Sequence, residues 1–485
     1  MPDLAPFQIP GQLPINHPSS ALTSLATSYV RPSLVPSAQS SIPNSDATYQ
    51  ADHVVLEVQA AVSPKSCHDS TTSRYRFFTI FAEYLGLRSK TVCGLGTEVQ
   101  QSGDADPLDG DDTTIRNTLS SADYWTSGES DPSSWSLQEQ EERSIPQYVL
   151  DYAPYVHLFS GEQFWPCDLA EHLVHTTPEL NYTPIYKMRR DRTLDNLADL
   201  NRVGGRFVYL TSDDNVEERP DWLGGSQNIP EDADNMENNG TERPVGHSSA
   251  PAVLVVVRKP GGVVDAFWFY FYSYNLGNTV FNVRFGNHVG DWEHTLVRFR
   301  DGVPEQIALS EHSWGEAYAY TAMEKIGKRP LTFSATGSHA MYATPGSHPY
   351  VLPLGVLHDQ TDRGPLWDPS LNLHSYTYNL QNGALLASNH TPQAPTNWFY
   401  YGGRWGDRAY PTSDKRQYQF AGQYHYVSGP LGARFKNLGR AAVCQGRGKC
   451  DIRYWLPPPG LVKHISQEDM EEGVDADMEG FDRTG

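Results

Sequence analysis

The stretch AVLVVVRKPGGVVDAFWFYFYSYN, Ala252 to Asn275, decides the fold. Two runs of β-branched, aliphatic and aromatic residues flank Pro260-Gly261-Gly262, which is typical of two strands joined by a turn. The next stretch, HTLVRFRDGVPEQIALSEHS, repeats this arrangement around Asp301-Gly302, a strong hairpin signal. RPLTFSATGSHAMY adds a further strand and a turn. Strands at this spacing, with few helical periods between them, predict an all-β protein with a β-sandwich core, long loops and a few short helices.

Composition divides the chain into three parts. Residues 1–144 combine Pro- and Ser-rich sequence with an acidic run, so they contain little apolar surface to offset chain entropy, and we predict a mostly disordered extension. Residues 145–456 are rich in apolar and aromatic residues and are predicted to form the folded domain, with a helix start at Pro166-Cys167-Asp168-Leu169. Within them, the acidic segment 217–244 is predicted to be a loop insertion. Residues 457–485 are predicted to be a loose acidic tail.

The charge balance limits the classes of molecule that the protein can bind. The formal net charge of -21 argues against a nucleic-acid binder, because phosphate binding needs a basic surface. It permits cation binding and discourages non-specific attachment to anionic membranes. No apolar run approaches the roughly 20 residues that a transmembrane helix needs. The opening MPDLAPFQIPGQLP lacks the basic and apolar regions of a signal peptide, so a cytosolic location stays open.

The cysteines give one candidate bridge. None of the five cysteines forms a CxxC pair, so a zinc ribbon or a redox motif has no support. Cys444 and Cys450 are close enough in sequence to close a small loop by a disulfide in an oxidising compartment. The odd total leaves at least one thiol unpaired.

The stretch FGNHVGDWEH, Phe285 to His294, is the strongest candidate for a site. Asp291 and Glu293 are two residues apart, so in a strand both carboxylates lie on one face, and His288 is on the approach to it. Two carboxylates and an imidazole are suitable ligands for Mg²⁺ or Ca²⁺, with Mn²⁺ or Zn²⁺ less favoured. The alternative is a polar strand edge that only places Trp292 in the core.

Further polar residues follow downstream and are candidates for ligands or for a general base. They are His294, His312, Ser338, His339 and His348. A nucleophile pair of Ser338 and His339 is not favoured, because neighbours in a strand point to opposite faces. No G-x-S-x-G elbow is present.

Three long segments resemble the vacuolar protein sorting-associated protein 62 family. They are VDAFWFYFYSYNLGNTVFNVRFGNHVGDWEHTLVRF, SEHSWGEAY and RPLTFSATGSHAMYATPGSH. The resemblance extends from roughly Ile145 to Leu456 and leaves the first 144 residues and the acidic tail uncovered. It implies a role in delivering proteins to the vacuole and a vacuolar or secretory route, and it implies little about mechanism.

A second, motif-level resemblance bears on chemistry. NHVGDWE is similar to the GHRHDWE heptapeptide of the necrosis- and ethylene-inducing-like proteins, secreted β-sandwich cytolysins that use a divalent cation to engage lipid head groups. This resemblance implies that His288, Asp291 and Glu293 are metal ligands. The second His of that motif is replaced here by Gly290, and a further ligand would fall near Asn275, whose neutral amide weakens cation affinity.

Three functions remain open at this point. The first is a non-enzymatic protein that binds a lipid head group or a glycan through a cation at His288, Asp291, Glu293 and Asn275. The second is a metal-dependent hydrolase that uses the same site, with a histidine as base. The third is a sorting or structural factor without a metal, in which these polar residues shape a turn.

Overall fold

The structure is a computed structural model that describes most of the chain between residues 125 and 458. The described residues are 125, 131–185, 192–227, 229–230, 245–280, 282–311, 314–349, 358–420, 422–446 and 449–458. The predicted disordered extension thus lies outside the described residues, apart from Trp125 and residues 131–144. The acidic tail from residue 459 and most of the predicted loop insertion, from residue 231 to 244, also lie outside them.

The described residues are built mainly of β-strands, which confirms the predicted all-β class. The first twelve strands in chain order are β1 (Tyr155–His157), β2 (Thr176–Leu180), β3 (Thr183–Pro184), β4 (Val208–Ser212), β5 (Ile229–Pro230), β6 (Val245–His247), β7 (Ala252–Lys259), β8 (Val263–Asn275), β9 (Thr279–Val280), β10 (Val283–Arg284), β11 (His288–Arg300) and β12 (Val303–Glu311). They are followed by β13 (Trp314–Ala319), β14 (Lys325–Ile326), β15 (Arg329–Ser334), β16 (Met341–Tyr342), β17 (Gly346–Pro349), β18 (His358–Thr361), β19 (Leu366–Trp367), β20 (Leu373–Asn379), β21 (Ala384–Ala387), β22 (Gln419–Phe420), β23 (Gln423–Tyr424) and β24 (Ile452–Arg453).

The helices are short, as predicted. The α-helices are α1 (Leu137–Glu142), α2 (Gln147–Asp151) and α3 (Leu169–Val174). The 3-10 helices are Pro132–Ser134, Leu197–Arg202, Gly205–Phe207, Val216–Glu218, Asp221–Gly224, Tyr320–Ala322, Asn397–Tyr400 and Ala433–Phe435. Within the described ranges, no helix is long and apolar enough to cross a bilayer.

Two helix starts show how local sequence sets these elements. The Ser136 hydroxyl accepts a hydrogen bond from the Glu139 N–H, and the Glu139 carboxylate accepts one from the Ser136 N–H. This capping box satisfies backbone donors at the start of α1. Regular structure therefore begins before residue 145, the predicted start of the folded domain. At the predicted start of α3, the Asp168 carboxylate caps the Ala170 N–H at 2.8 Å.

Two sheets dominate the described part of the chain. The larger sheet has eight strands in the order β21-β20-β7-β8-β11-β12-β13-β24. The smaller sheet has the order β14-β15-β1-β19-β6-β5, with β16 paired to β15. Both predicted hairpins are present: β7 pairs with β8 across Gly261-Gly262, and β11 pairs with β12 across Asp301-Gly302. All four turn residues have positive φ angles, between 49° and 81°, the conformation that such tight turns require.

The larger sheet is buried on both faces. On one face, Trp268 and Val297 pack with Val156 and Trp367 of the smaller sheet, which gives the predicted sandwich core. The other face packs against α3 and the C-terminal part of the domain through a second cluster that includes Phe267, Leu173, Trp292, Trp398 and Trp405. Because β11 runs through the middle of this sheet, a charged side chain on it is removed from water. Unless a protein group pairs with that charge, its burial lowers the stability of the fold.

Candidate functional site

The register of β8 and β11 places the two acidic residues of the DWE motif. Asp291 lies opposite Tyr272, and Glu293 lies opposite Tyr270. Because side chains alternate along a strand, the two carboxylates share the face that is directed toward the smaller sheet, as their spacing predicts. Trp292 between them is fully buried in the cluster on the other face.

Asp291 forms a buried pair with His339. The Nδ1 atom of His339 lies 3.0 Å from the Asp291 carboxylate, and its Nε2 atom lies 3.0 Å from the carbonyl oxygen of Phe164. Both contacted atoms are oxygens, so the His339 ring bridges a carboxylate and a backbone carbonyl group. The ring also stacks on Tyr272 with centroids 3.7 Å apart. The pair therefore joins the central strand of the larger sheet to the turn between β15 and β16.

His339 is held in an unfavourable backbone conformation. Its φ angle is 58°, in the left-handed region that non-glycine residues rarely adopt. Such a conformation costs about 1–3 kcal/mol and persists only where the surrounding contacts fix it. The neighbouring Ser338 donates its hydroxyl to Asp359 at 2.7 Å. Ser338 and His339 thus contact different carboxylates.

Glu293 is fully buried and has a neutral partner. Its carboxylate accepts a hydrogen bond from the Ser310 hydroxyl on the neighbouring strand β12. The same hydroxyl oxygen accepts a hydrogen bond from the backbone N–H of His294 at 2.6 Å. Ser310 therefore ties the acidic residue to the sheet backbone.

The other two predicted ligands, His288 and Asn275, form a separate pair. They lie opposite each other at the ends of β11 and β8, and strand alternation assigns them to the face away from Asp291. The His288 Nδ1 atom is 2.6 Å from the Gly290 carbonyl oxygen, and the Asn275 amide donates to the Gly286 carbonyl oxygen at 2.9 Å. The Asn275 Oδ1 atom is buried and has no hydrogen-bond partner.

The predicted ligand set is therefore divided between two faces of the sheet. In the part of the chain that the structure describes, no group of three or more His, Cys, Asp or Glu side chains is placed to hold a metal ion. The metal assignment stays a prediction that binding experiments must decide.

Gly290 has a specific structural role at this site. Its φ angle is +71°, and a Cβ atom at this position would lie 1.8 Å from the carbonyl oxygen of Trp405. The segment around Trp405 packs directly against the strand here. A histidine, the residue of the cytolysin motif at this position, would be excluded by this close approach.

The remaining candidate histidines are separate from one another. His294 lies on the Trp292 face, where its Nε2 atom accepts a hydrogen bond from Arg440 at 3.2 Å. Burial, with Arg440 and Lys436 nearby, holds the pKa of His294 well below its usual value. His348 contacts Thr361 at 2.8 Å, and burial lowers its pKa. His312 lies outside the described residues.

A buried ion network at the far end of β11 was not anticipated from the sequence. The guanidinium of Arg298 donates two hydrogen bonds to Asp265, at 2.6 and 2.7 Å, and Lys259 donates a third at 2.6 Å. Arg440 is also buried here, and burial lowers its pKa to about 9. The sequence signal was a single charged residue inside each of two apolar runs, Asp265 in one and Arg298 in the other.

The cysteines are placed as follows. Cys444 and Cys450, the predicted pair, are joined by a disulfide with a Cα–Cα distance of 5.4 Å. Cys167 has a free, buried thiol, and burial raises its pKa to about 12. A thiol that stays protonated is a poor nucleophile, so Cys167 is a core residue.

Fold and site together define a two-sheet β-protein whose central strand carries a buried acid–imidazole pair at one end and a buried ion network at the other.

The family model for vacuolar protein sorting-associated protein 62 matches residues 262–418. Vacuolar protein sorting-associated protein 62 of Saccharomyces cerevisiae is 36% identical over 420 residues, covering 79% of this chain and 84% of that protein. The protein TDA6 of the same yeast is 38% identical over 362 residues, covering 67% of this chain and 74% of that protein. The chain belongs to the vacuolar protein sorting-associated protein 62 family.

Solved structures of necrosis- and ethylene-inducing-like proteins show a distant likeness. The crystal structure of the non-toxic HaNLP3 protein is 11% identical, covers 56% of this chain and 82% of that chain, and has a TM-score of 0.24. The structure of NLPPya in complex with glucosamine is 10% identical, covers 52% of this chain and 76% of that chain, and has a TM-score of 0.21. At such TM-scores, neither structure is evidence about binding by this chain.

Proposed function

We propose that this chain is a non-catalytic factor in the delivery of proteins to the vacuole, and that the Asp291 end of β11 shapes its binding surface. Family membership supports the vacuolar role and a location on the vacuolar or secretory route, because the yeast relative named for vacuolar sorting aligns over 79% of this chain. The proposed role of the Asp291 end in shaping the binding surface is supported by the buried Asp291–His339 pair, in which His339 has a left-handed backbone conformation. Strain of this kind concentrates at functional sites.

The contacts of the titratable residues support a binding role over catalysis. A metal-dependent hydrolase needs a base that converges with a metal-bound water in a cleft. Among the described residues, His294, His339 and His348 contact three different partners, Arg440, Asp291 and Thr361. The hydrolase alternative therefore has no specific observation in its favour.

The test is complementation in yeast. A strain that lacks both TDA6 and vacuolar protein sorting-associated protein 62 would express the full chain, and the secreted fraction of a vacuolar hydrolase reporter would be measured. We expect the chain to lower the secreted fraction toward the wild-type value, with the yeast protein on the same vector as positive control. A chain that is folded and abundant but leaves the secreted fraction unchanged would contradict the sorting role.

A second candidate function is cation-dependent binding of a lipid head group or a glycan. One observation favours it: the Asn275 Oδ1 atom is buried without a hydrogen-bond partner, close to a strand that carries two carboxylates. Oxygen ligands favour Mg²⁺ or Ca²⁺, with Mn²⁺ or Zn²⁺ less favoured. Binding of a single ion would require the two faces of the strand end to rearrange, since strand alternation assigns His288 and Asn275 to the face away from Asp291.

Calorimetric titration decides this second candidate. The metal-stripped full chain would be titrated with each of the four cations, beside an Asp291→Asn/Glu293→Gln variant. One equivalent bound by the wild type and lost in the variant would support the site. An Asn275→Asp variant, which adds a carboxylate, should then bind more tightly. A folded wild-type chain that takes up none of the cations would remove the candidate.

A further inference from the structure

The chain contains three Asn-x-Thr sequons, which begin at Asn181, Asn239 and Asn389. A sequon of this kind accepts an N-linked glycan in a protein that enters the secretory pathway. Asn239 lies outside the described residues, and the other two asparagines are both exposed. The atoms around each of these two asparagines decide whether it is a suitable acceptor.

Asn181 lies at the tip of the β2–β3 hairpin. Leu180 pairs with Thr183, so Asn181 and Tyr182 form a two-residue turn. Their φ angles of 52° and 61° are typical of a type I′ turn. Asn181, Tyr182 and Thr183 are all exposed. The sequon is therefore presented at the end of a hairpin and not within a packed sheet.

The contacts of this turn leave the reactive nitrogen of Asn181 free. The Asn181 Oδ1 atom accepts a hydrogen bond from Arg408 at 3.3 Å, and the Tyr182 hydroxyl donates to the Ala409 carbonyl oxygen at 2.8 Å. The Arg408 guanidinium also lies over the Tyr182 ring, 4.6 Å from its centroid. Within the described residues, the Asn181 Nδ2 atom has no hydrogen-bond partner. A glycan on Nδ2 leaves the amide oxygen in place, so the contacts that hold the turn are kept.

Asn389 has a less suitable sequon. The Thr391 hydroxyl of this sequon donates to the Ser375 carbonyl oxygen at 3.1 Å and accepts from the Ser375 N–H at 2.9 Å. A transferase must engage the sequon hydroxyl, and at Thr391 this group is already bonded. In the described part of the chain, the Thr183 hydroxyl has no hydrogen-bond partner. Asn181 is therefore the better acceptor of the two.

The disulfide is independent evidence about the compartment. Cys444 and Cys450 are bonded, and disulfides persist in the lumen of the secretory pathway but are rare in the cytosol. N-linked glycans are added in the same lumen. Two chemically unrelated features, a disulfide and an exposed sequon with a free amide nitrogen, thus fit one compartment.

We propose that Asn181 is a site of N-linked glycosylation, and that the folded domain receives this glycan in the lumen of the secretory pathway. The donor is an oligosaccharide on a lipid pyrophosphate. The bond from Nδ2 to the sugar C1 forms, the bond from C1 to the pyrophosphate oxygen breaks, and Nδ2 loses one proton. The proposal rests on the secretory route of the proposed function. It goes beyond that function by naming a modified atom and the side of the membrane on which the domain lies.

Pro184 limits how completely the site is modified. A residue before proline is confined to extended conformations, so Thr183 presents its hydroxyl to a transferase in fewer ways. We therefore expect partial occupancy in the wild-type chain and higher occupancy in Pro184→Ala.

Site-resolved mass spectrometry tests the proposal. The full chain would be expressed in yeast and digested with peptide-N-glycosidase F in heavy-oxygen water, which leaves a labelled aspartate wherever a glycan was attached. We expect the label at Asn181 in the wild type and its loss in Thr183→Ala, which keeps Asn181 but destroys the sequon. The matched control is Thr183→Ser, which keeps the sequon and should keep the label.

Two outcomes would overturn the proposal. One is a folded wild-type chain with no label at Asn181, even where Asn239 or Asn389 is labelled. The other is a label that persists in Thr183→Ala, which would assign it to spontaneous deamidation.

A chain fused to a yeast secretory leader separates the causes of a missing label. A label at Asn181 in the fused chain alone would show that the native chain does not enter the lumen. The absence of this label from both chains would show that Asn181 is not an acceptor. Complementation by a chain without the Asn181 glycan would refute this proposal alone, and a glycan without complementation would refute the sorting role alone.

Discussion

The two ends of strand β11 solve the problem of buried charge in opposite ways. At the Arg298 end, the Asp265 carboxylate is paired with the cations Arg298 and Lys259. Both cations also donate hydrogen bonds to backbone carbonyl oxygens. Lys259 donates to Arg440 and Arg298 donates to Ala441, each at 2.6 Å. At the Asp291 end, the carboxylate contacts an imidazole whose own backbone is strained. The charges at the Arg298 end are paired in good geometry, whereas the pair at the Asp291 end includes a residue with a strained backbone.

This difference separates a structural role from a functional one. The Asp265 network fixes the C-terminal segment around Arg440 to the sheet, and every contact in it is a strong, charge-assisted bond between protein groups. The Asp291–His339 pair depends on a residue that would relax if its surroundings changed. We therefore expect substitutions at the Arg298 end to act on stability and substitutions at the Asp291 end to act on function.

The largest effect is expected for Asp265→Ala. This substitution leaves Arg298 and Lys259 buried without their carboxylate, and an uncompensated buried charge costs about 3–5 kcal/mol. Urea unfolding of the wild type and the variant measures the change in the free energy of unfolding. The exposed pair of Arg300 and Glu305 provides the control, since Glu305→Ala should cost less than about 1 kcal/mol. Equal effects at the two sites would show that the network is not a stabilising clamp.

A smaller effect is expected for Gly290→Ala, beside Asp291. The left-handed backbone alone costs about 1–2 kcal/mol in a residue with a Cβ atom, and the contact with the Trp405 carbonyl oxygen adds to it. The matched control is Gly261→Ala, because Gly261 has a similar φ of +75° and no neighbour within 4 Å of its Cβ position. Thermal unfolding should show a greater loss for Gly290→Ala. If both glycines cost the same, the close approach to Trp405 is not a constraint.

The smallest effect is a pH dependence at the Arg298 end. Burial lowers the pKa of His294 well below 6.5, so below pH 6.5 the unfolded chain binds a proton that the native chain excludes. His294 alone therefore removes about 1.4 kcal/mol of stability per pH unit as the pH falls, while its native ring stays neutral. The buried His172, His348 and His374 have lowered pKa values too and add to the slope. Melting temperatures between pH 7 and about pH 5 would show the summed slope, and His294→Gln should reduce it. The exposed His390→Gln is the control, and a slope unchanged in His294→Gln would disprove the assignment.

Much of the fold follows from the sequence because its strong signals are local. The Asp301-Gly302 turn and the aromatic run of β8 each identify a strand or a hairpin without knowledge of the rest of the chain. The capping box of α1 is equally local, yet it lies inside acidic sequence whose composition predicted disorder. A composition-based prediction averages residue types over a long segment, so it does not detect a six-residue helix within that segment.

The site was less predictable because its partners are distant in sequence. Asp291 and Glu293 share a face because of their spacing, which the sequence shows directly. His339 was a candidate, but its contact with Asp291 spans 48 residues and depends on how the two sheets pack. The pairing of Asp265 with Arg298 depends on the register of β8 and β11, which no tight turn sets.

The most direct test of this account compares sorting per folded molecule in Asp291→Asn and Asp265→Asn. Both variants would be expressed in the yeast strain that lacks the two relatives. The fall in the secreted fraction of the hydrolase reporter, relative to the empty vector, would be divided by the amount of folded, protease-resistant chain. We expect Asp291→Asn to reduce sorting per folded molecule, whereas Asp265→Asn should reduce only the amount of folded chain. Wild-type sorting per folded molecule in Asp291→Asn would contradict a functional role for the Asp291 end of β11.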